Sequence, residues 1–178
     1  MHRLKRDFFK NPTITVAKEL LGKTLVFNKH QGLIIETEAY IGENDPACHA
    51  AKGRTKRTEI MYGEAGYSYV YLIYGMYYCL NIVTEEKNFP AAVLVRGIII
   101  NHNQDTKNKN AQPINGPGKL CKHLGINKEH NKINLINSNF FYITAPKKQQ
   151  TFSYIETPRI GIKVGIDKLW RFKIHSFY

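Results

Sequence analysis

Residues 33–40, Leu-Ile-Ile-Glu-Thr-Glu-Ala-Tyr, read as a β-strand that carries two carboxylates and an aromatic ring. Side chains alternate between the faces of a strand, so Ile34, Glu36, Glu38 and Tyr40 share one face while Leu33, Ile35, Thr37 and Ala39 share the other. A sheet built on this strand must take at least one carboxylate deep into the fold or into a cleft. In a chain with a formal net charge of +12, a carboxylate held there points to chemistry. The plainer reading of these eight residues alone makes both glutamates ion-pair partners on a solvated sheet face.

With 178 residues, 43% of them hydrophobic, the chain suits one compact domain and is short for two. Lysine and arginine number 26 against 14 acids, an excess that favours a polyanionic partner without saying which. Cys48, Cys79 and Cys121 are odd in number and far apart, so they suggest free thiols in a reducing compartment and no disulfide framework. The histidines form no metal-ligand spacing, and no metal is expected. No apolar stretch follows the basic N-terminal residues, so a secretory signal is not expected. Residues 65–84 are uncharged and long enough to span a bilayer. Gly66, Gly75 and Asn81 interrupt them, however, and their tyrosines would carry hydroxyls to hydrocarbon depth, so no membrane span is expected.

Along the chain, 13–22 reads as a short helix stopped by Gly22, followed by strands at 24–28 and 33–40. Lys52, Arg54, Lys56 and Arg57 cluster in the loop after His49, a pattern suited to phosphate contacts. Residues 67–83 alternate as a hairpin turning at Tyr74-Gly75, and 91–100 forms a third strand with Arg96 in an apolar run. A buried arginine there needs an acidic or phosphate partner. The polar 101–112 stretch reads as a flexible insertion. Gly116-Pro117-Gly118-Lys119 opens a helix to Leu124 with Gly125 as its stop, but Pro113 and Leu120 stand where a phosphate-binding loop needs glycine and serine or threonine. Strands near 133–144 and 159–165 and an apolar run at 169–174 complete the pattern. The fold expected is α+β: a single domain, 1–178, with a curved, mostly antiparallel β-sheet, flanking helices and a protruding tyrosine-rich hairpin.

Glu-Thr-Glu-Ala-Tyr at 36–40, His49, Tyr-Val-Tyr-Leu-Ile-Tyr-Gly-Met-Tyr at 69–77, Asn81, Arg96, Gly-Pro-Gly-Lys-Leu-Cys at 116–121 and Arg-Ile-Gly-Ile at 159–162 occur in one order. Together they resemble the alkyladenine (3-methyladenine) DNA glycosylase family. The resemblance implies a monofunctional enzyme of base excision repair that flips a damaged purine out of double-stranded DNA and hydrolyses its N-glycosidic bond. It implies no metal and no cofactor. On this match Glu38 is the general base, and Arg96 helps place the water and keeps the glutamate ionised. Tyr40, His49 and Tyr71 stack on the base, Asn81 crowds the purine 2-amino group, the Ile160 carbonyl holds the water, and Tyr74 intercalates. Arg54, Lys56 and Arg57 are the expected phosphate contacts, and Glu36 is expected to be structural. A cytoplasmic monomer is expected.

A basic, non-catalytic module could use the same tyrosine hairpin as a stacking platform for single strands. A carboxylate facing a phosphate-bearing polymer would weaken such a platform, so Glu38 beside Tyr40 favours the enzyme.

Overall fold

Strand-forming runs of period two organise residues 2–100, 112–146 and 151–178, the part of the chain described by the computed structural model. In chain order these residues form β1 (His2–Arg3), α1 (Arg6–Lys10), α2 (Thr13–Glu19), β2 (Thr24–Phe27), β3 (His30–Ile41), β4 (Ser68–Ile73), β5 (Tyr77–Val83) and β6 (Ala91–Ile100). There follow β7 (Gln112–Asn115), α3 (Pro117–Leu124), β8 (Phe141–Ala145), β9 (Phe152–Thr157) and β10 (Arg171–Phe177). The expected insertion at 101–112 lies, apart from Gln112, outside the described residues.

All strand pairs are antiparallel, and the main order is β1-β8-β2-β3-β6-β5-β4, with β7 on β6, β10 on β3 and β9 on β10. One edge of β3 runs along β6, while the other is divided: residues 30–33 pair with β2, and residues 36–38 pair with β10. This division curls the sheet and makes β3 its central strand. The product is a single α+β domain, as the sequence predicts.

Because β3 has neighbours on both edges and cover on both faces, every residue from Gly32 to Ala39 is buried. The solvated face that eight residues suggested does not exist. On the helical side the Thr37 hydroxyl donates to the Ala17 carbonyl of α2 at 2.8 Å. Val16, Ala17 and Leu20 join Leu120 and Leu124 of α3 in one core with Ile34, Val93, Val95, Ile98 and Phe172. A smaller cluster of Cys48, Ala50, Met61, Tyr62, Tyr69, Val83 and Ala92 lies under the loop that follows β3.

Several expected elements differ. The helix expected over 13–22 ends at Glu19, and Gly22 instead makes a left-handed turn at φ 76°. Within 133–144 the strand begins only at Phe141. Residues 159–165 form no strand: Gly161 and Gly165 sit at φ 78° and 64°, a backbone that cannot continue a ladder. Strands β7 and β9 escaped sequence reading, β7 because Pro113 disfavours a strand and its partner lies only on β6. No helix among the described residues is long and apolar enough to cross a membrane, and 68–83 is the β4–β5 hairpin.

Ile98 is fully buried, pairs with Ile34, and lies where a side chain at Gly32 would collide with it. Ile98→Ala should cost about 2–5 kcal/mol, read as a lowered midpoint in urea denaturation.

Candidate active site

The two glutamates of β3 are both buried, at 4% and 0% exposure for Glu36 and Glu38. Arg96 reaches them from β6 beside a local irregularity in register, where Glu36 lies opposite Gly97. A side chain at Gly97 would press on the Glu36 Cβ at 3.2 Å, so glycine lets the strands approach here. Arg96 Nε donates to Glu36 Oε1 at 2.9 Å, and Arg171 Nε of β10 donates to the same oxygen at 2.7 Å. Burial pushes the Glu36 carboxyl up, but the hydrogen bonds from Arg171 and Arg96 outweigh it and hold the group below the usual carboxylate range.

Glu38 is held differently. The Tyr40 hydroxyl donates to its Oε2 at 2.8 Å, the Ile160 amide donates to its Oε1 at 2.7 Å, and Arg96 Nη1 lies at 3.4 Å from Oε2. Burial raises its pKa, and Arg96, the Ile160 amide and Tyr40 only partly reverse that, so the group stays above the usual range. Two carboxylates two residues apart are thus driven in opposite directions, so otherwise similar acids differ in proton affinity.

Beside them opens a cavity of about 490 Å³, a size suited to a small organic group. Tyr40, His49, Tyr71, Asn81, Arg96 and Ile160 all line it. Glu38 is covered, but each of the groups bonded to it belongs to the cavity wall. The His49 ring packs edge-on against Tyr71 with centroids 4.6 Å apart, and its Nδ1 is 2.9 Å from the Tyr69 hydroxyl. Burial, and then the charge of Arg57, lower the His49 pKa to about 4, so the ring is neutral at pH 7. Asn81 Nδ2 donates to the Tyr69 carbonyl at 3.1 Å, which fixes the amide at the pocket wall.

Tyr74 and Gly75 turn the hairpin at φ 53° and 69°. Tyr74 is 77% exposed. A left-handed tyrosine costs about 1–2 kcal/mol, so this exposed ring is held in a strained backbone. The basic cluster is not uniform: Arg54 is 3.7 Å from Glu59, Lys56 is exposed, and Arg57 lies 4.9 Å over the Tyr71 ring at the cavity.

Sequence reading did not single out Arg171, Asp45 or Trp170, and it took Gly118 only as part of the 116–121 motif. Arg171 reaches Glu36 only because β10 pairs with β3, and Gly118 matters because any side chain there would meet the Tyr77 ring at 3.0 Å. Among the described residues no three His, Cys, Asp or Glu side chains converge as a metal site.

Comparison with known proteins gives the family. The profile of the family described as Methylpurine-DNA glycosylase (MPG) matches residues 7–177. A Sodalis glossinidius protein named "Putative 3-methyladenine DNA glycosylase" is 58% identical over 172 residues, 96% of this chain and 95% of its own length. Proteins of the same name from Rickettsia peacockii (strain Rustic) and Ehrlichia chaffeensis (strain ATCC CRL-10679 / Arkansas) are 56% and 55% identical, each over 96% of this chain and over 89% and 92% of their own lengths. The class is that of the DNA glycosylases, hydrolases acting on N-glycosyl bonds, for which DNA is the substrate. This chain belongs to the methylpurine-DNA glycosylase family.

A neutral His49 has a measurable consequence. Between pH about 6.5 and 4 the unfolded chain binds a proton that the folded ring refuses, so stability falls as pH drops through that window. The His49 ring resonances should show no titration above pH 5 by NMR, and His49→Gln should flatten the stability profile there.

Proposed function

We propose that the enzyme excises alkylated purines of the 3-methyladenine type from double-stranded DNA, as a monofunctional glycosylase of base excision repair, using water activated by Glu38. The observation that carries this reading is a fully buried carboxylate joined to the wall of an aromatic cavity by Tyr40, Arg96 and the Ile160 amide. The names of the relatives support the same substrate class.

The chemistry is hydrolysis at the sugar C1′. The bond to the base nitrogen breaks with its electron pair leaving on the purine, the water oxygen bonds to C1′, and Glu38 takes the water proton. The nearby anion also stabilises positive charge developing on the sugar. Arg96 and the Ile160 carbonyl orient the water.

A 3- or 7-alkylated purine is cationic, so the rings of Tyr40 and Tyr71 attract it by about 0.5–2 kcal/mol per good contact. A neutral His49 adds stacking surface without like-charge repulsion. Asn81 limits room for the guanine amine, which disfavours the normal base. Tyr74, exposed at the hairpin tip, fills the gap left in the duplex by the extruded nucleotide. Arg54, Lys56 and Arg57 meet the phosphates, backed by the net charge of +12. Action as a monomer in the cytoplasm belongs to the same reading, and three buried, free cysteines suit a reducing compartment.

Glu38→Gln should bind duplex DNA as the wild type does while single-turnover release of 3-methyladenine from methylated DNA falls by roughly 100-fold or more. Near-normal release would overturn the role of Glu38. Because the base must be ionised and its pKa is raised, the wild-type rate should fall on acidification at a higher pH than an ordinary glutamate would give.

The wedge is tested separately. Tyr74→Ala should slow excision from a matched duplex more than from a bulge that already presents the base unpaired; equal losses would remove Tyr74 from that role.

A further inference from the structure

The Arg-Ile-Gly-Ile segment contains a buried cation that the reaction itself does not use. Arg159 forms a fork with Asp45, Nη1 to Oδ2 at 2.6 Å and Nη2 to Oδ1 at 2.8 Å, and neither side chain is exposed. Nη1 also donates to the Ala39 carbonyl at 2.9 Å. The guanidinium contacts two rings, 4.7 Å from the centroid of Tyr40 and 5.1 Å from that of Trp170. Gly165, at φ 64°, passes so close that a side chain there would stand 3.1 Å from Arg159 Nη2.

Asp45 is equally committed. Its carboxylate accepts the amides of Ile41 and Ala47, both at 3.2 Å, and its carbonyl accepts the Cys48 amide at 2.9 Å. The ion pair therefore touches three parts of the pocket: the strand end with Tyr40, the turn leading into His49, and the residue before Ile160, whose amide holds Glu38.

A buried ion pair is a poor way to add stability, because desolvation of both charges consumes much of their attraction. What a forked, planar cation supplies is direction. Resting on the reading of Glu38 as the general base, we propose that Asp45 and Arg159 are positioning residues that hold Tyr40, the Ile160 amide and the turn into His49 in register with Glu38. The pair touches no reacting atom. It acts by keeping the stacking ring and the amide donor where the base and the carboxylate require them, and an error of about 1 Å in such groups costs on the order of 100-fold in rate.

The test compares Arg159→Lys, which keeps a cation and loses the fork, with Trp170→Leu, which removes one ring beside the guanidinium and leaves the ion pair intact. Thermal stability, duplex affinity, single-turnover release of 3-methyladenine across pH, and the titration of the Glu38 carboxyl by NMR in the DNA-free protein are measured for each. Arg159→Lys should lose on the order of 100-fold in the rate of the folded protein with duplex affinity retained. The acid limb of its pH profile and the Glu38 titration should both move upward, because the amide donor is loosened. Trp170→Leu should move all these readouts in the same direction by less, and it decides the matter if Arg159→Lys does not fold. Folded variants with wild-type release and an unmoved Glu38 titration would overturn the proposal, whatever their melting temperatures. A wild-type protein that releases no base would instead overturn the glycosylase reading, while the DNA-free titration still reports on the clamp.

Discussion

Buried charge is the constraint around which this molecule is arranged. Glu36 and Glu38 face Arg96 and Arg171, and Asp45 faces Arg159, so each buried carboxylate has a guanidinium within reach in a region where an unpaired ion would be very costly. Arg96 sits closer to Glu36, at 2.9 Å, than to Glu38, at 3.4 Å. With the second guanidinium of Arg171 on Glu36 and the complete burial of Glu38, that inequality leaves Glu36 below the usual carboxylate range and Glu38 above it. A carboxylate that is buried yet held by a hydroxyl and an amide keeps enough basicity to take a proton, which a fully salt-bridged one lacks.

The form of the sheet is what lets these charges meet. β2 covers only residues 30–33 of the second edge of β3, and β10 takes residues 36–38, which brings Arg171 opposite Glu38 and within a hydrogen bond of Glu36. The curl that follows turns one face of β3 toward the helical core and the other toward the aromatic cavity. A single strand thus carries both packing and the buried charge, with Thr37 anchoring α2 from one face and Glu38 bonded to the pocket wall from the other.

Where the sequence was legible, local chemistry and tertiary context agreed. The β4–β5 hairpin announced itself through alternating tyrosines and a Tyr-Gly turn, and α3 through Gly-Pro at its start and Gly125 at its end. Residues 159–165 misled because Ile160, Ile162 and Val164 alternate like a strand, while the backbone bends at Gly161 and Gly165 to pack over Asp45 and Arg159. β7 was hidden for the opposite reason: a proline-containing, polar segment pairs only because β6 offers it an edge.

The sequence by itself determined that a basic α+β domain would contain a strand with two carboxylates and a tyrosine, because alternation and charge are properties of neighbours in the chain; that this strand is central was decided by its pairing on both edges. It also marked Tyr40, His49, Tyr71, Tyr74, Asn81 and Arg96 through short motifs. Which glutamate is held below and which above the usual carboxylate range, which arginine stacks on which ring, and that Asp45 and Arg159 close on each other across 114 positions were decided only by the tertiary structure. Such partners come from distant segments, and local pattern carries no information about the low-dielectric surroundings that fix their ionisation.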